Sequence, residues 1–171
     1  MDLVDLIKEK RFLGQEFLTW LWFYCERNSG LIDVKGIGGT EIWFEEQMVL
    51  DSGNESITCK GGSLSFAEAR TAVREGKKIS KARLRAALDG QEYRLTLNAE
   101  TLEITGLRLP RTWELSEEED TGLAGRFLDR VAMINEITDL INGLFAQYLG
   151  LRLTELWPER ELKDFRRWLK D

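Results

Sequence analysis

The 171-residue chain contains no histidine, only two prolines and only two cysteines. Without histidine there is no Ser/His or Cys/His nucleophile pair, and the commonest metal ligand is missing. Two prolines exclude a Pro-rich linker. Cys25 and Cys59 stand in apolar or strand-like contexts without metal-ligand spacing. They read as reduced, buried thiols of a cytoplasmic protein. The most apolar run, Phe17 to Cys25, is about half the ~20 residues that a membrane-spanning helix needs. The opening "MDLVDLIKEK" carries acids and too short an apolar run for a signal peptide. There is no internal repeat and no low-complexity tract.

What the chain does have is an aromatic concentration near its start. "FLGQEFLTWLWFYCE" crowds Phe12, Phe17, Trp20, Trp22, Phe23 and Tyr24 together. Over two helical turns this stretch is apolar on every side, the mark of a helix buried all round. Gly14 before it and Asn28–Gly30 after it punctuate the ends. Trp20 and Trp22 point to opposite faces, so one neighbouring element cannot cover both. A central core helix explains this, and a helix partly buried in a subunit interface is the alternative.

The pattern then changes to period two. Ile42, Phe44, Met48 and Leu50 share one parity, with Glu41, Glu45 and Gln47 on the other, and Glu46 breaks the alternation. "DSGNES" reads as a turn and "ITCK" as the returning strand. "SLSFAEARTAVREG" predicts a helix with Ser63 or Ser65 as N-cap, Glu68 completing a capping box and Gly76 closing it. In "KISKARLRAAL", Ala82, Leu84, Ala86 and Leu88 lie on one face and Lys81, Arg83 and Arg85 on the other. Asp89-Gly90 is a two-residue hairpin turn. "EYRLTLN" turns Tyr93, Leu95 and Leu97 inward and Arg94 and Thr96 outward, and "TLEITGLRL" follows. This is an antiparallel meander with one buried face.

The chain ends in helices. Phe127, Val131, Ile134, Thr138, Ile141, Phe145 and Tyr148 form one stripe, and Met133, Ile137, Leu140 and Leu144 form a second beside it. A helix from about Asp120 to Leu149 would be about 45 Å long, so something must cover its far end. The final amphipathic helix, opened by Pro158, is one candidate cover. A second subunit is the other, because symmetric dimers are the commonest oligomers.

Catalytic chemistry finds little support, and the chain does not read as an enzyme. The glycines of "KGIGGTE" lack the strand-then-helix context of a phosphate loop, and Gly36, Gly38 and Gly39 read as a flexible connection. The consecutive acids Glu117 to Asp120 diverge around a helix and suit a helix start rather than a metal site. No cofactor and no small-molecule substrate is indicated. Charge is more informative. The chain carries net charge −6, yet between residues 70 and 94 Arg70, Arg74, Lys77, Lys78, Lys81, Arg83, Arg85 and Arg94 oppose only Glu75, Asp89 and Glu92. The strand pattern places Lys81, Arg83, Arg85 and Arg94 on one outer sheet face. Such a face is either a solvated surface or a polyanion site hidden behind a low isoelectric point. With no aromatic interleaved among these cations, a base-stacking platform for single strands is disfavoured.

From Ile57 to Leu149 the order of features is "ITCKGGSLSFAEARTAVREGKKISKARLRAAL", then "EYRLTLNAETLEITGLRLP", an acidic stretch and "LDRVAMINEITDLINGLFAQYL". This resembles the C-terminal half of the bacterial recombination-associated protein RdgC family. "FLGQEFLTWLWF" is similar to a segment upstream in longer members. The resemblance implies nonspecific duplex DNA binding linked to recombination or replication, in a cytoplasmic, nucleoid-associated homodimer. Family members close a dimeric ring around DNA. Lys77 and Lys81 fall where the family tends to be basic, whereas Arg83 and Arg85 match less well. This chain lacks most of the family's N-terminal portion, which helps build the ring. The alternative is a protein-interaction module that keeps the fold without encircling DNA.

The expected architecture is α+β. A single domain over 1–171 has N-terminal helices (1–30), an antiparallel sheet of about five strands with one inserted helix (40–109), and C-terminal helices (117–171). The sheet packs with the aromatic first helix and the long C-terminal helix. The expected DNA contacts are Lys77, Lys78, Lys81, Arg83, Arg85 and Arg94.

Overall fold

A helix that is apolar on every side needs cover from more than one direction, and the chain supplies it. The computed structural model describes residues 3–110 and 123–170. Helix α1 (Leu3–Arg27) is followed by strands β1 (Leu31–Val34), β2 (Gly38–Asp51) and β3 (Ser56–Lys60), then helix α2 (Gly62–Arg74). Strands β4 (Lys78–Leu88), β5 (Gln91–Asn98) and β6 (Ile104–Arg108) complete one antiparallel sheet. Helix α3 (Leu123–Arg152), a π-helical turn at Trp157–Glu161 and helix α4 (Leu162–Trp168) end the chain. The fold is α+β.

The sheet has six strands in the order β1-β2-β4-β5-β6, with β3 pairing the far half of β2 beside β1. The glycines expected to form a flexible connection do not. Gly38 and Gly39 lie in β2 opposite Val34 and Asp33, so the segment is a hairpin and the sheet starts at residue 31. The hairpin at Asp89-Gly90 forms as its residues require. Both adopt positive φ, 47° and 78°, and Leu88 pairs Gln91. The break at Glu46 is a bulge: β2 places residues 45–47 between Phe44↔Leu84 and Met48↔Ala82, where β4 has only Arg83.

Helix α2 starts before the serines expected to cap it. Its N-cap is Gly61, with no side-chain capping bond. Its end follows the sequence. Gly76 adopts φ 97°, its N–H bonds the Val73 carbonyl, and the Lys77 N–H bonds that of Ala72. This is a Schellman closure.

Helix α1 is central. Phe17, Leu18, Trp20, Leu21, Trp22, Phe23 and Cys25 are all buried. One side packs on β4 and β2. On another side Phe17 meets Phe145 and Tyr148 of α3, at 5.2 and 5.6 Å between ring centroids. A third side is closed by α4: Trp168 stands edge-on to Trp22 at 4.9 Å, and Phe165 edge-on to Phe23 at 5.5 Å. Arg70 of α2 lies over the Trp168 ring, 4.6 Å from its centroid, and pairs with Glu26. Gly14, expected to mark the helix start, lies inside α1 instead.

The final helix therefore covers α1, not the far end of α3. In α3, Met133, Ile137, Leu140 and Leu144 are buried, whereas Phe127, Leu128, Val131 and Ile134 are exposed. Cys25 and Cys59 are buried and unbridged. No described helix is long and apolar enough to cross a membrane. The acidic run Glu117–Asp120 falls outside the described residues.

Candidate nucleic-acid interface

Alternation in β2, β4 and β5 decides which side chains share the face turned away from the helices. The inward set, Ile42, Met48, Ala82, Leu84, Ala86, Tyr93, Leu95 and Leu97, is buried. The outward set includes Lys81, Arg83, Arg85 and Arg94, with the three arginine side chains each about half exposed. These four expected residues come together as the pattern requires.

Register places them more finely. Arg85 stands directly opposite Arg94, and Arg94 directly opposite Arg108 of β6. Three arginines thus cross three strands in one row, spanning about 10 Å at ~4.8 Å per strand. Trp43 of β2 continues that row beyond Arg85. Its indole lies so close over Gly30 that a Cβ there would be 2.5 Å from the ring. Lys60 joins from β3 opposite Gln47. A groove of about 470 Å³ runs between Trp43, Gln47, Lys60, Arg83 and Arg85.

Directly opposed like charges repel, and two carboxylates sit among these arginines. Glu92 lies 3.0 Å from Arg94 Nε and 3.9 Å from Arg85. Glu45, carried on the β2 bulge, lies 3.6 Å from Arg94 and 4.0 Å from Arg83. Across the described outer face, Lys60, Lys81, Arg83, Arg85, Arg94 and Arg108 oppose Glu41, Glu45 and Glu92. The face stays basic, but acids interrupt it.

The structure does not bring Lys77 and Lys78 to this face. Lys77 is buried, and its Nζ donates to Glu55 at 3.1 Å. Lys78 turns toward α1, its Nζ 3.3 Å from the centroid of the Phe12 ring. Both precede the bulge at Ser80, where β4 slips by one residue against β2 between Val49↔Lys81 and Leu50↔Ile79. That slip breaks the parity that aligns Lys81 with Arg83 and Arg85. A run of cations in sequence is therefore two separate groups in space.

Three members of the face were not singled out from the sequence. Trp43 shares the outward parity of Glu41 and Glu45, and it places an aromatic beside the cations where none was expected. Lys60 and Arg108 needed the pairing partners of β3 and β6. Among the described residues, no three Cys, Asp or Glu side chains group as a metal site. Comparison with protein-family models and with curated proteins finds no match to this chain.

Proposed function

We propose that the protein binds duplex DNA without strong sequence preference through the outer sheet face, in support of recombination or replication. The observation that carries this reading is the row Arg85–Arg94–Arg108, flanked by Arg83 and Lys81, on a face bearing no described helix. Arginine and lysine on a flat strand surface suit phosphates, which position a protein without conveying base sequence. The link to recombination rests on the resemblance to the RdgC family. A titration of labelled duplex at two salt concentrations tests the proposal. Of six cations on the described face, Glu41, Glu45 and Glu92 offset three, leaving roughly three phosphate contacts and a slope of log K against log salt near −3. An absence of duplex binding at low salt overturns it.

A second reading is a protein-interaction module. It is favoured by Glu45 and Glu92 within the basic face and by the exposed Trp43 at the groove. Aromatic and arginine side chains together are characteristic of protein interfaces. Under this reading a partner binds with little salt dependence and duplex DNA does not bind. Either reading includes a homodimer, supported by the exposed Phe127, Leu128, Val131 and Ile134 of α3. A monomer in sedimentation at micromolar concentration removes the dimer from both.

A further inference from the structure

Away from the sheet's outer face, a half-open cavity of about 270 Å³ lies where α1, the start of β4, the end of α3 and the π-helical turn meet. Its walls are mostly apolar, with Trp20, Trp157 and Phe165 among them, while Lys78, Arg152 and Glu16 supply charge. Such a combination of apolar walls and a few converging polar groups is the usual build of a small-molecule site.

The charges are not equivalent. Glu16 Oε1 accepts from Arg152 Nε at 2.6 Å and from the Tyr148 hydroxyl at 2.9 Å. Glu161, at the same cavity, accepts from both Arg27 amino groups at 3.0 and 3.1 Å and from the Trp20 indole N–H at 2.9 Å. Both carboxylates therefore have cationic partners. Lys78 makes no ion pair among the described residues, and the Glu16 carboxylate acts on it only from beyond pairing distance. The Lys78 ammonium sits over Phe12. Burial lowers the affinity of Lys78 for the proton, an effect that Glu16 opposes and Arg152 reinforces. An ammonium held this way gains from an anion that reaches it.

We propose that this cavity binds a small monocarboxylate with an aromatic or compact apolar body, its carboxylate on Lys78 Nζ and its body among Trp20, Trp157 and Phe165. One cation without an ion pair among the described residues matches a monoanion. A phosphate dianion would need further donors, and the Arg152 guanidinium is already committed to Glu16 through Nε. Planar walls suit a planar body, which stacks or meets rings edge-on at little entropic cost. The site is separate from the arginine row and does not depend on the DNA reading.

Calorimetry on the full chain with phenylacetate, and with phenylacetamide as the uncharged control, tests it. Phenylacetate binds with a dissociation constant in the millimolar range or tighter, near the yield expected for so few atoms. Phenylacetamide binds at least about tenfold more weakly, since a charge-assisted bond is lost. Lys78→Met weakens the acid by a similar factor and leaves the amide unchanged. Equal affinity for acid and amide, no heat from phenylacetate at tens of millimolar, or an unaltered Lys78→Met variant overturns the proposal. Should Lys78→Met fail to fold, the acid and amide comparison on the parent protein decides alone.

Discussion

Gly14 of α1 packs directly against the backbone of Ala99, such that a Cβ at Gly14 would lie 1.7 Å from the Ala99 carbonyl oxygen. Helix and chain touch there without a side chain between them. The neighbour is backbone, and Ala99 is itself tied down, its N–H bonded to the Ser80 carbonyl at 2.8 Å. Gly14→Ala gains helix propensity worth about 1 kcal/mol, but overpacking costs typically about 1–3 kcal/mol and more where backbone must shift. Net destabilisation of about 2 kcal/mol or more is expected in denaturant unfolding. A variant as stable as the parent would show that the contact relaxes freely.

Trp22 and Trp43, both in the chain's first half, should behave oppositely. Trp22 is 1% exposed and Trp43 is 37% exposed. Trp22→Ala is expected to cost about 3–5 kcal/mol, the range for large aromatic core deletions. Trp43→Ala should cost far less in stability and act on binding instead. Parallel melting and binding measurements on the two variants separate a core role from a surface role.

Sequence periodicity exposed much of this architecture, and the reasons for its gaps are specific. Side-chain alternation is local, so the inward and outward sets of β4 and β5 were readable, and with them the grouping of Lys81, Arg83, Arg85 and Arg94. The all-round apolar character of Phe17–Cys25 identified α1 as core. Pairing is not local. The break in alternation at Glu46 marks the bulge, but nothing local announces that it sets Glu45 between Arg83 and Arg94, or that Arg108 stands opposite Arg94. Gly14 looked like punctuation because a glycine needed for close approach and a glycine needed for a turn are the same letter. Lys77 and Lys78 looked like members of the basic face because the slip at Ser80 leaves no compositional mark.

Neutralising the cations and the acids of the outer face in separate variants discriminates between the two readings. Arg85→Ala with Arg94→Ala should weaken binding to all duplexes alike and flatten the salt slope by about one to two units. Glu45→Gln with Glu92→Gln should do the opposite, freeing arginines for phosphate and steepening the slope by a similar amount. If the glutamine pair instead leaves duplex binding unchanged, the acids are not competitors of DNA. Surface changes of this kind typically cost within about half a kcal/mol each.

High pH should destabilise the fold. Burial pushes the Tyr148 hydroxyl well above the ordinary tyrosine value, and Glu16 beside it adds to this. Burial and a hydrogen bond to the Glu136 carboxylate do the same for Tyr93, and burial raises the Cys25 thiol. Each group keeps its proton in the folded chain after the unfolded chain has released it. The folded state then binds more protons, and stability falls as pH rises. The decline begins near pH 9 with Cys25 and steepens above about 10, by up to ~1.4 kcal/mol per pH unit for each group. Melting temperature followed from pH 8 to 11 checks this, and Tyr148→Phe should flatten the limb above pH 10.

The closure of α4 over α1 also fixes a waiting time during synthesis. The Trp168 indole N–H donates to Glu26 from 142 positions away. At roughly 5–20 residues per second, the first helix leaves the ribosome on the order of ten seconds before the residues that shield its aromatic flank. Through that interval Trp22 and Phe23 lack their final neighbours, and a nascent chain in this state is a natural client for chaperones that hold exposed aromatic surface. Truncating the gene before Phe165 would make the interval permanent, and the product should accumulate bound to such chaperones rather than as free protein.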